Sequence, residues 1–490
     1  MRSSDRLSGN NRLIFAVFVM LSTAFPGRSS CAEEYIHAQA AIAVKTAVSG
    51  GRYTIFQVAE SARKSGIDVV ITSEAFLNKW QYGLWPLRNV IRMTVETRSL
   101  LKYGIRRYLN ELKVAQEGYR KPLIIGGVEA APFYYWKGSP FRGDLAIKDW
   151  HKHLLVTGLK TAKDYTGLPV IGNCAALAGP AGFKSLLYVF SLLLILFAGL
   201  FGILLMHWRY YGFALALAGA LLLMNAYPFT GVKYDQYHGD RGYMPYQNLI
   251  DYVNGRGGMA FWVHLEAKNV ERVGNVSVTT PEHSDLIEMT TGYTGFAVFE
   301  EGYNIVGRPD GLWDAALREY CRGDRRSPVW AIGALNYEAG GDLGGSMDRL
   351  RTVLLIGKLT VDEALDALRA GRAYAVAGSD ASRFRLDNFT VGDSSGSAPA
   401  VMGQEALVRG APRIRMSGRF TDPGAKPVPV KILLLKDGRP LNFFETETPF
   451  DITYDDEHAE EAGRHYYRAE LRAKDLMLIT NPVFVMRSAK

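Results

Sequence analysis

The chain has 490 residues, 57 Lys and Arg against 49 Asp and Glu, a formal net charge of +8, and is 48% hydrophobic and 22% charged. This is globular material with apolar content for more than one core, which excludes a disordered chain. The basic surplus is spread along the sequence rather than clustered, so it leaves no footprint for nucleic acid and sits better beside anionic lipid.

Arg2, Arg6 and Arg12 precede an apolar stretch from Leu13 to Phe25, followed by Ser30-Cys31-Ala32. That order predicts a signal peptide over residues 1–32, or an uncleaved anchor with the same topology. Arg28 stands where a lipid-attachment motif would want an aliphatic residue, so Cys31 is not read as a lipid site. Export would place residue 33 onward outside the cytoplasm.

From Tyr53 to Glu338 short apolar strands alternate with amphipathic helices, which predicts an α/β layer fold. Ile55, Val58, Ala59 and Ala62 share one helical face that ends at Gly66 and feeds the β-branched run Ile67-Asp68-Val69-Val70-Ile71. Leu123 to Ile125, Met259 to Val263 and Asp285 to Met289 read as further strands. Thr360 to Gly371, with a Thr cap, an acidic first turn and a terminal Gly, predicts the helix that closes this region.

Two apolar runs interrupt the pattern. Leu186 to Met206 carries no charge, and at ~1.5 Å per residue it covers a ~30 Å hydrocarbon core. Gly212 to Phe229 is just long enough to cross back, after a turn containing Arg209 with Tyr210 and Tyr211 suited to the interface. The expectation is a transmembrane hairpin over residues 184–229, its turn cytoplasmic and the soluble parts extracytoplasmic; the alternative is a hairpin buried in a soluble core. Past Tyr374 the segments Phe384 to Val391, Arg413 to Phe420, Val428 to Leu435 and Tyr466 to Leu471 alternate apolar with polar residues, and Lys436 to Pro440 reads as a turn. Residues 376–490 are therefore expected to form an Ig-like β-sandwich. Cys174 and Cys321 would either pair outside the cytoplasm or stay free, and no spacing suggests a metal knuckle.

Chemistry in α/β folds collects at strand ends. In chain order those positions read Ala43-Val44-Lys45-Thr46 before a Ser49-Gly50-Gly51 turn, then Ser73-Glu74-Ala75, Gly127-Val128-Glu129, His153-Leu154-Leu155, His264-Leu265 and Asn336-Tyr337-Glu338. The series resembles the motifs of the PHP (polymerase and histidinol phosphatase) domain, in its membrane-associated type with a C-terminal sandwich, over residues 41–375. The resemblance implies a distorted (β/α)7 barrel in two parts, residues 33–183 and 230–375, that holds two or three divalent metals at its C-terminal rim and hydrolyses phosphoesters. Glu129, His153 and His264 match metal-ligand positions of those motifs. Ala43, Lys45, Glu74, Ala75, Asn336 and Glu338 stand at ligand positions where the motifs carry other residues. A register using His37 and Gln39 recovers one imidazole but lies too far from the Ser-Gly-Gly turn.

Three retained ligands would hold one ion at most. An ammonium at Lys45 would repel a cation by about 4 kcal/mol at ~4 Å with an effective dielectric near 20, and would compensate Glu74, Glu129 and Glu338 instead. The expectation is thus a pseudoenzyme without a cofactor, a binding or regulatory protein in contact with lipid that takes a phosphorylated or sugar-like small molecule or pairs with an active paralogue. The alternative is a phosphoesterase with one zinc, manganese or iron ion on Glu129, His153 and His264, and Glu74 or Glu338 as general base. A third reading is purely structural, and His153 and His264 have the further alternative of being core histidines. Phe133 to Trp136 with Phe141 line a cleft or pack as a loop. Tyr234 to Tyr243, with Asp235, His238 and Asp240, reads as a collar at the bilayer, with a metal site as the alternative, and Gly126-Gly127, Gly257-Gly258 and Gly340-Gly341 as turn glycines.

Overall fold

The computed structural model describes residues 35–177, 183–205, 208–227, 233–299, 301–338, 340–393, 399–457 and 462–487. The signal-peptide segment expected at residues 1–32 lies outside them. Residues Glu34–Lys490 form one compact unit of mixed α/β structure.

The strand Ile36–Val44 pairs in parallel with Val69–Thr72, which pairs in parallel with Leu123–Ile125. Two short extensions, Glu74–Ala75 and Gly127–Ala130, pair in parallel in their turn. Gly127–Ala130 then pairs antiparallel with His153–Thr157, and that strand antiparallel with Met259–Val263. Met259–Val263 leads in parallel to Gly295–Ala297 and Trp330–Ile332, and Ala334–Tyr337 pairs back with Ile36–Val44. These strands lie in two sheets, one holding Ile36–Val44 with its neighbours and one running from Trp330–Ile332 to Glu74–Ala75, and the chain passes between them at residues 123–130 and 330–337. Val69–Thr72 and Met259–Val263 are buried throughout, which explains why they read as continuous apolar runs rather than alternating ones.

The helices follow their local signals. Thr54 and Gln57 form a reciprocal cap on Ile55–Lys64, which buries Ile55, Val58, Ala59 and Ala62. Thr360 caps Val361–Ala370, and Gly371 ends it in the left-handed conformation at φ 71°. One expected strand is instead a helix, Leu286–Met289. There the carbonyl of Ile287 accepts from Tyr293 Oη (2.7 Å) and Arg325 Nη2 (3.0 Å), so side chains take the place of a strand neighbour. Three antiparallel hairpins have no sequence expectation: Lys79–Gly83 with Arg92–Glu96, Tyr135–Lys137 with Ala146–Lys148, and Asn269–Val273 with Val276–Thr280, the last two joined in parallel into one four-stranded sheet.

After Ala377 every regular element among the described residues is a strand, forming a β domain with one core drawn from two sheets. Asp437 and Gly438, at φ 51° and 83°, make the two-residue turn between Pro429–Lys436 and Arg439–Glu447. One of the sheets is continuous with the α/β region: Leu476–Thr480 pairs with Ala373–Ala377, that strand with Leu350–Ile356, and that one with Ile36–Val44. The boundary expected at 375/376 falls inside Ala373–Ala377.

The apolar runs form the helices Phe183–Leu204 and Arg209–Ala226. Small residues let their backbones meet: a Cβ on Gly199 would lie 2.3 Å from Ala216 N, and one on Gly212 2.4 Å from Ile203 N. Among the described residues one segment, Leu186–Leu204, is long and apolar enough to cross a membrane by length and composition, and 11% of it is buried. That exposure is unlike a helix in a soluble core. The second helix begins at Arg209 rather than Gly212, carries the polar Arg209 and Asn225 within its 18 residues, and is not among the described segments apolar enough to cross a membrane. The hairpin is inserted between His153–Thr157 and Met259–Val263, which nevertheless pair directly from His153↔Val263 to Thr157↔Met259.

Candidate functional site

Ile36–Val44 is bulged at Ala43. Ile42 and Val44 pair with the consecutive residues Ile71 and Thr72, so Ala43 has no counterpart and adopts φ 65°. The bulge is held by Ser73 N donating to Val44 O (3.0 Å) and Lys45 N donating to Tyr337 O (2.9 Å). Three other rim residues share the left-handed conformation: His264 at φ 55°, Glu301 at 73° and Asn336 at 47°. Such geometry costs about 1 kcal/mol or more per non-glycine residue and concentrates where a side chain must be aimed.

Lys45 lies at the centre. Its Nζ is 3.1 Å from Glu129 Oε2 and forms a second ion pair with Glu338 Oε1. The other Glu129 oxygen pairs with His153 Nδ1, whose ring also donates from Nε2 to the Trp150 carbonyl (3.1 Å). The His153 and His264 rings are 6.5 Å apart, and His264 Nδ1 is 3.4 Å from Glu301 Oε2. Burial works against the Lys45 charge, but Glu129 and Glu338 outweigh it and hold the ammonium above the usual lysine range. Burial likewise opposes the Glu129 carboxylate, and Lys45, His153 and His264 hold it well below its ordinary value. For His264, burial is outweighed by Glu301 and Glu129, and its pKa is raised.

Glu74 is not among Lys45's ion-pair partners, contrary to expectation. It is buried in its own cradle, accepting from Thr46 Oγ1 (2.6 Å), Ser49 Oγ (2.5 Å) and Thr46 N (3.2 Å). Burial still raises its pKa despite those donors. Ala75 stands directly beside Glu129 in register. Asn336 Nδ2 is buried without a partner among the described residues. His37 lies near the other end of its strand, opposite Leu355, so the register that used it does not reach this rim.

Phe133, Tyr134 and Trp136 are buried, and Trp136 meets Trp80 and Tyr82 edge to face, so this segment packs rather than opening a cleft; Phe141 is exposed. His238 pairs locally with Asp235 at 2.7 Å. Cys174 and Cys321 are free thiols. Sequence reasoning missed Glu301 and the Thr46–Ser49 cradle. Glu301 lies just past Gly295–Ala297, so applying the strand-end rule to that strand would have found it.

The arrangement does not fit a metal as it stands. Glu129 is engaged on both oxygens, His153 on both nitrogens, and a cation already occupies the space between the carboxylates. Among the described residues no group of three or more His, Cys, Asp or Glu is disposed to hold an ion. What the site can do is present an ammonium, an imidazole pair and an exposed carboxylate, Glu338, at one strand-end rim.

No family model and no curated protein matches the chain. Among solved structures, a two-domain protein of Bacteroides vulgatus containing a predicted PHP-like metal-dependent phosphoesterase is 10% identical, with 89% of this chain and 91% of that one covered at a TM-score of 0.35. A candidate metal-dependent phosphoesterase of Bifidobacterium adolescentis is 14% identical, covering 63% and 91% at 0.29. An amidohydrolase of Chromobacterium violaceum, with bound sulfate and no metal, is 13% identical, covering 62% and 89% at 0.28.

Proposed function

We propose that this chain is a membrane-held, PHP-type barrel protein whose metal centre has been replaced by an internal ammonium, and that it acts by binding rather than by hydrolysis. The observation that carries the reading is Lys45 bridging Glu129 and Glu338. A divalent ion at that point would meet the ammonium at close range, and Lys45 stays charged because its partners outweigh its burial. A raised lysine is also a poor nucleophile, which argues against a covalent amine role. The strand order, continued from one sheet to the other along residues 123–130 and 330–337, supports a seven-stranded barrel whose strand His153–Thr157 runs antiparallel to its neighbours, and the two-sheet C-terminal core supports a sandwich. The exposed apolar hairpin supports membrane anchoring, with the globular parts on one side and the Arg209 turn on the other. The ligand class that suits the rim is a phosphorylated or sugar-like small molecule, and an active relative is the alternative partner.

Metal analysis of the detergent-purified full chain, with a phosphodiester hydrolysis assay, tests this. The expected result is neither stoichiometric metal nor turnover. One bound zinc, manganese or iron per chain, with turnover abolished by His264→Ala, would establish the single-ion phosphoesterase on Glu129, His153 and His264 instead. Restoring the motif with Ala43→His, Lys45→His, Glu74→Asp, Ala75→His, Asn336→Asp and Glu338→His should bring metal uptake back, and a well-folded variant that takes up none counts against the alignment of the motifs.

A further inference from the structure

We propose that the loop between Lys79–Gly83 and Arg92–Glu96 enters the headgroup region of an anionic bilayer beside the base of the helical hairpin, a second and non-spanning contact that rests on the membrane reading of that hairpin. The loop projects large apolar side chains into solvent: Trp85 is 79% exposed, Ile91 50% and Met93 47%. Scattered single exposures of this kind are ordinary, but three in one nine-residue stretch are not.

The loop is fixed in place at the hairpin's exit. Asn89 N donates to Asn225 Oδ1 (2.7 Å) and Asn89 Nδ2 to Asn225 O (2.6 Å), and Asn225 is the penultimate residue of Arg209–Ala226. On the other flank, Gly83 N donates to Tyr237 Oη (2.8 Å), and the Arg88 guanidinium lies 4.0 Å from the centre of the same ring. The loop is thereby pinned both to the last turn of the second hairpin helix and to the segment that follows it. If that helix leaves the bilayer at Ala226, Trp85 and Ile91 are carried to the same level.

Side-chain chemistry matches that depth. Tryptophan, with an apolar body and one N–H donor, prefers the interface, and aliphatic neighbours bury a few ångströms deeper. From Lys79 to Glu96 the bases are Lys79, Arg88 and Arg92 against a single acid, Glu96, which pairs with Lys79 at 3.8 Å and leaves Arg88 and Arg92 as the surplus charge. Such a segment is drawn to anionic headgroups, a charge complementarity that a protein partner would not require.

The test uses the full chain with its cysteines replaced by serine, reconstituted in vesicles of phosphatidylcholine and phosphatidylglycerol. Trp85→Cys, Ile91→Cys and Leu194→Cys are each labelled with an environment-sensitive fluorophore and challenged with doxyl lipids quenching at shallow or deep positions. We expect labels at 85 and 91 to shift to the blue and to lose about half their emission to the shallow quencher, with the label at 194 answering to the deep one. If 194 is quenched while 85 and 91 stay in water, the loop proposal falls and the hairpin stands. Should none be quenched, the membrane reading falls and takes the loop with it. Quenching at 85 and 91 that survives in uncharged vesicles overturns the requirement for an anionic surface.

Discussion

Lys45 and Arg468 each stand between two carboxylates, yet the two clusters are built differently. Arg468 lies between the helix Leu312–Arg322 and the β domain with no solvent exposure, its Nε and Nη2 at 2.9 and 2.6 Å from Asp314 and its Nη1 at 2.9 Å from Glu470. Tyr466 donates to Asp314 (2.9 Å), Tyr303 donates to Glu470 (2.8 Å), and the guanidinium faces the Trp313 ring at 4.7 Å. The planar fork matches its partners, and the neighbouring hydroxyls take up lone pairs that the fork leaves. Lys45 instead holds one buried carboxylate and one, Glu338, with 65% of its side chain in solvent. Around it the backbone is bent at Ala43, His264, Glu301 and Asn336. A cation with two acids is therefore not by itself a sign of function. What separates the clusters is that one is closed on every side and the other keeps an open carboxylate on a strained rim.

The sharpest way to break this contrast is Arg468→Met, which leaves Asp314 and Glu470 buried without a cation. It should destabilise the fold by about 3–5 kcal/mol, read from chemical unfolding in detergent. A loss under about 1 kcal/mol would mean that the cluster is not a structural pin.

Acid should act next, through a buried imidazole close to the Lys45 cluster. His283 is buried near Lys152 and His153; burial first, then these neighbours, pull its pKa down to about 4, with the Pro281 carbonyl and Glu282 acting in the opposite direction. An unfolded imidazole titrates near 6.5, so between about 6.5 and about 4 the unfolded chain binds the proton that the folded one refuses, and stability is lost as pH falls through that window. His283→Asn should remove up to about 3 kcal/mol of that acid dependence while leaving stability at pH 8 nearly unchanged. An unaltered acid limb in the variant would rule this source out.

Lys45→Met comes next, at about 2 kcal/mol, because Glu338 can relax into water while Glu129 keeps only its histidine. A cost equal to that of Arg468→Met would erase the distinction. The smallest effect is expected of Ala43→Gly, which relieves the left-handed strain at φ 65° and should gain about 1 kcal/mol. A loss there would show that the Ala43 methyl is needed for packing rather than merely tolerated.

Much of the scaffold was legible because its signals are local. The apolar face of Ile55–Lys64, the glycine stop at Gly371, the Asp437-Gly438 turn and the buried run Met259–Val263 all lie where periodicity and turn chemistry put them. Asp285 to Met289 misled because four apolar-rich residues fit a helix or a strand equally well, and the choice is made by Tyr293 and Arg325 reaching in from elsewhere. At the site, Lys45, Glu129, His153, His264 and Glu338 are grouped by the resemblance of their motifs to those of the PHP domain. The motifs could not reveal that Glu74 turns to Thr46 and Ser49 instead of Lys45, since that depends on the direction of a bulge and on hydroxyls three and six residues beyond it. Glu301 escaped because the three-residue strand Gly295–Ala297 before it does not read as a strand in the sequence, which leaves its end without an expectation.

The direct pairing of His153–Thr157 with Met259–Val263 also sets an order of events during synthesis. The first of these strands leaves the ribosome roughly 100 residues before its partner, with the whole hairpin in between. Until then its apolar edge has nothing to pair with on that side, the circumstance in which nascent chains are most prone to aggregate. Proteolysis of chains stalled before Met259 should find that strand open, and early protection would point to another temporary partner. A translation pause or a waiting chaperone would therefore matter most to this protein while the hairpin is being delivered, well before either charged cluster exists.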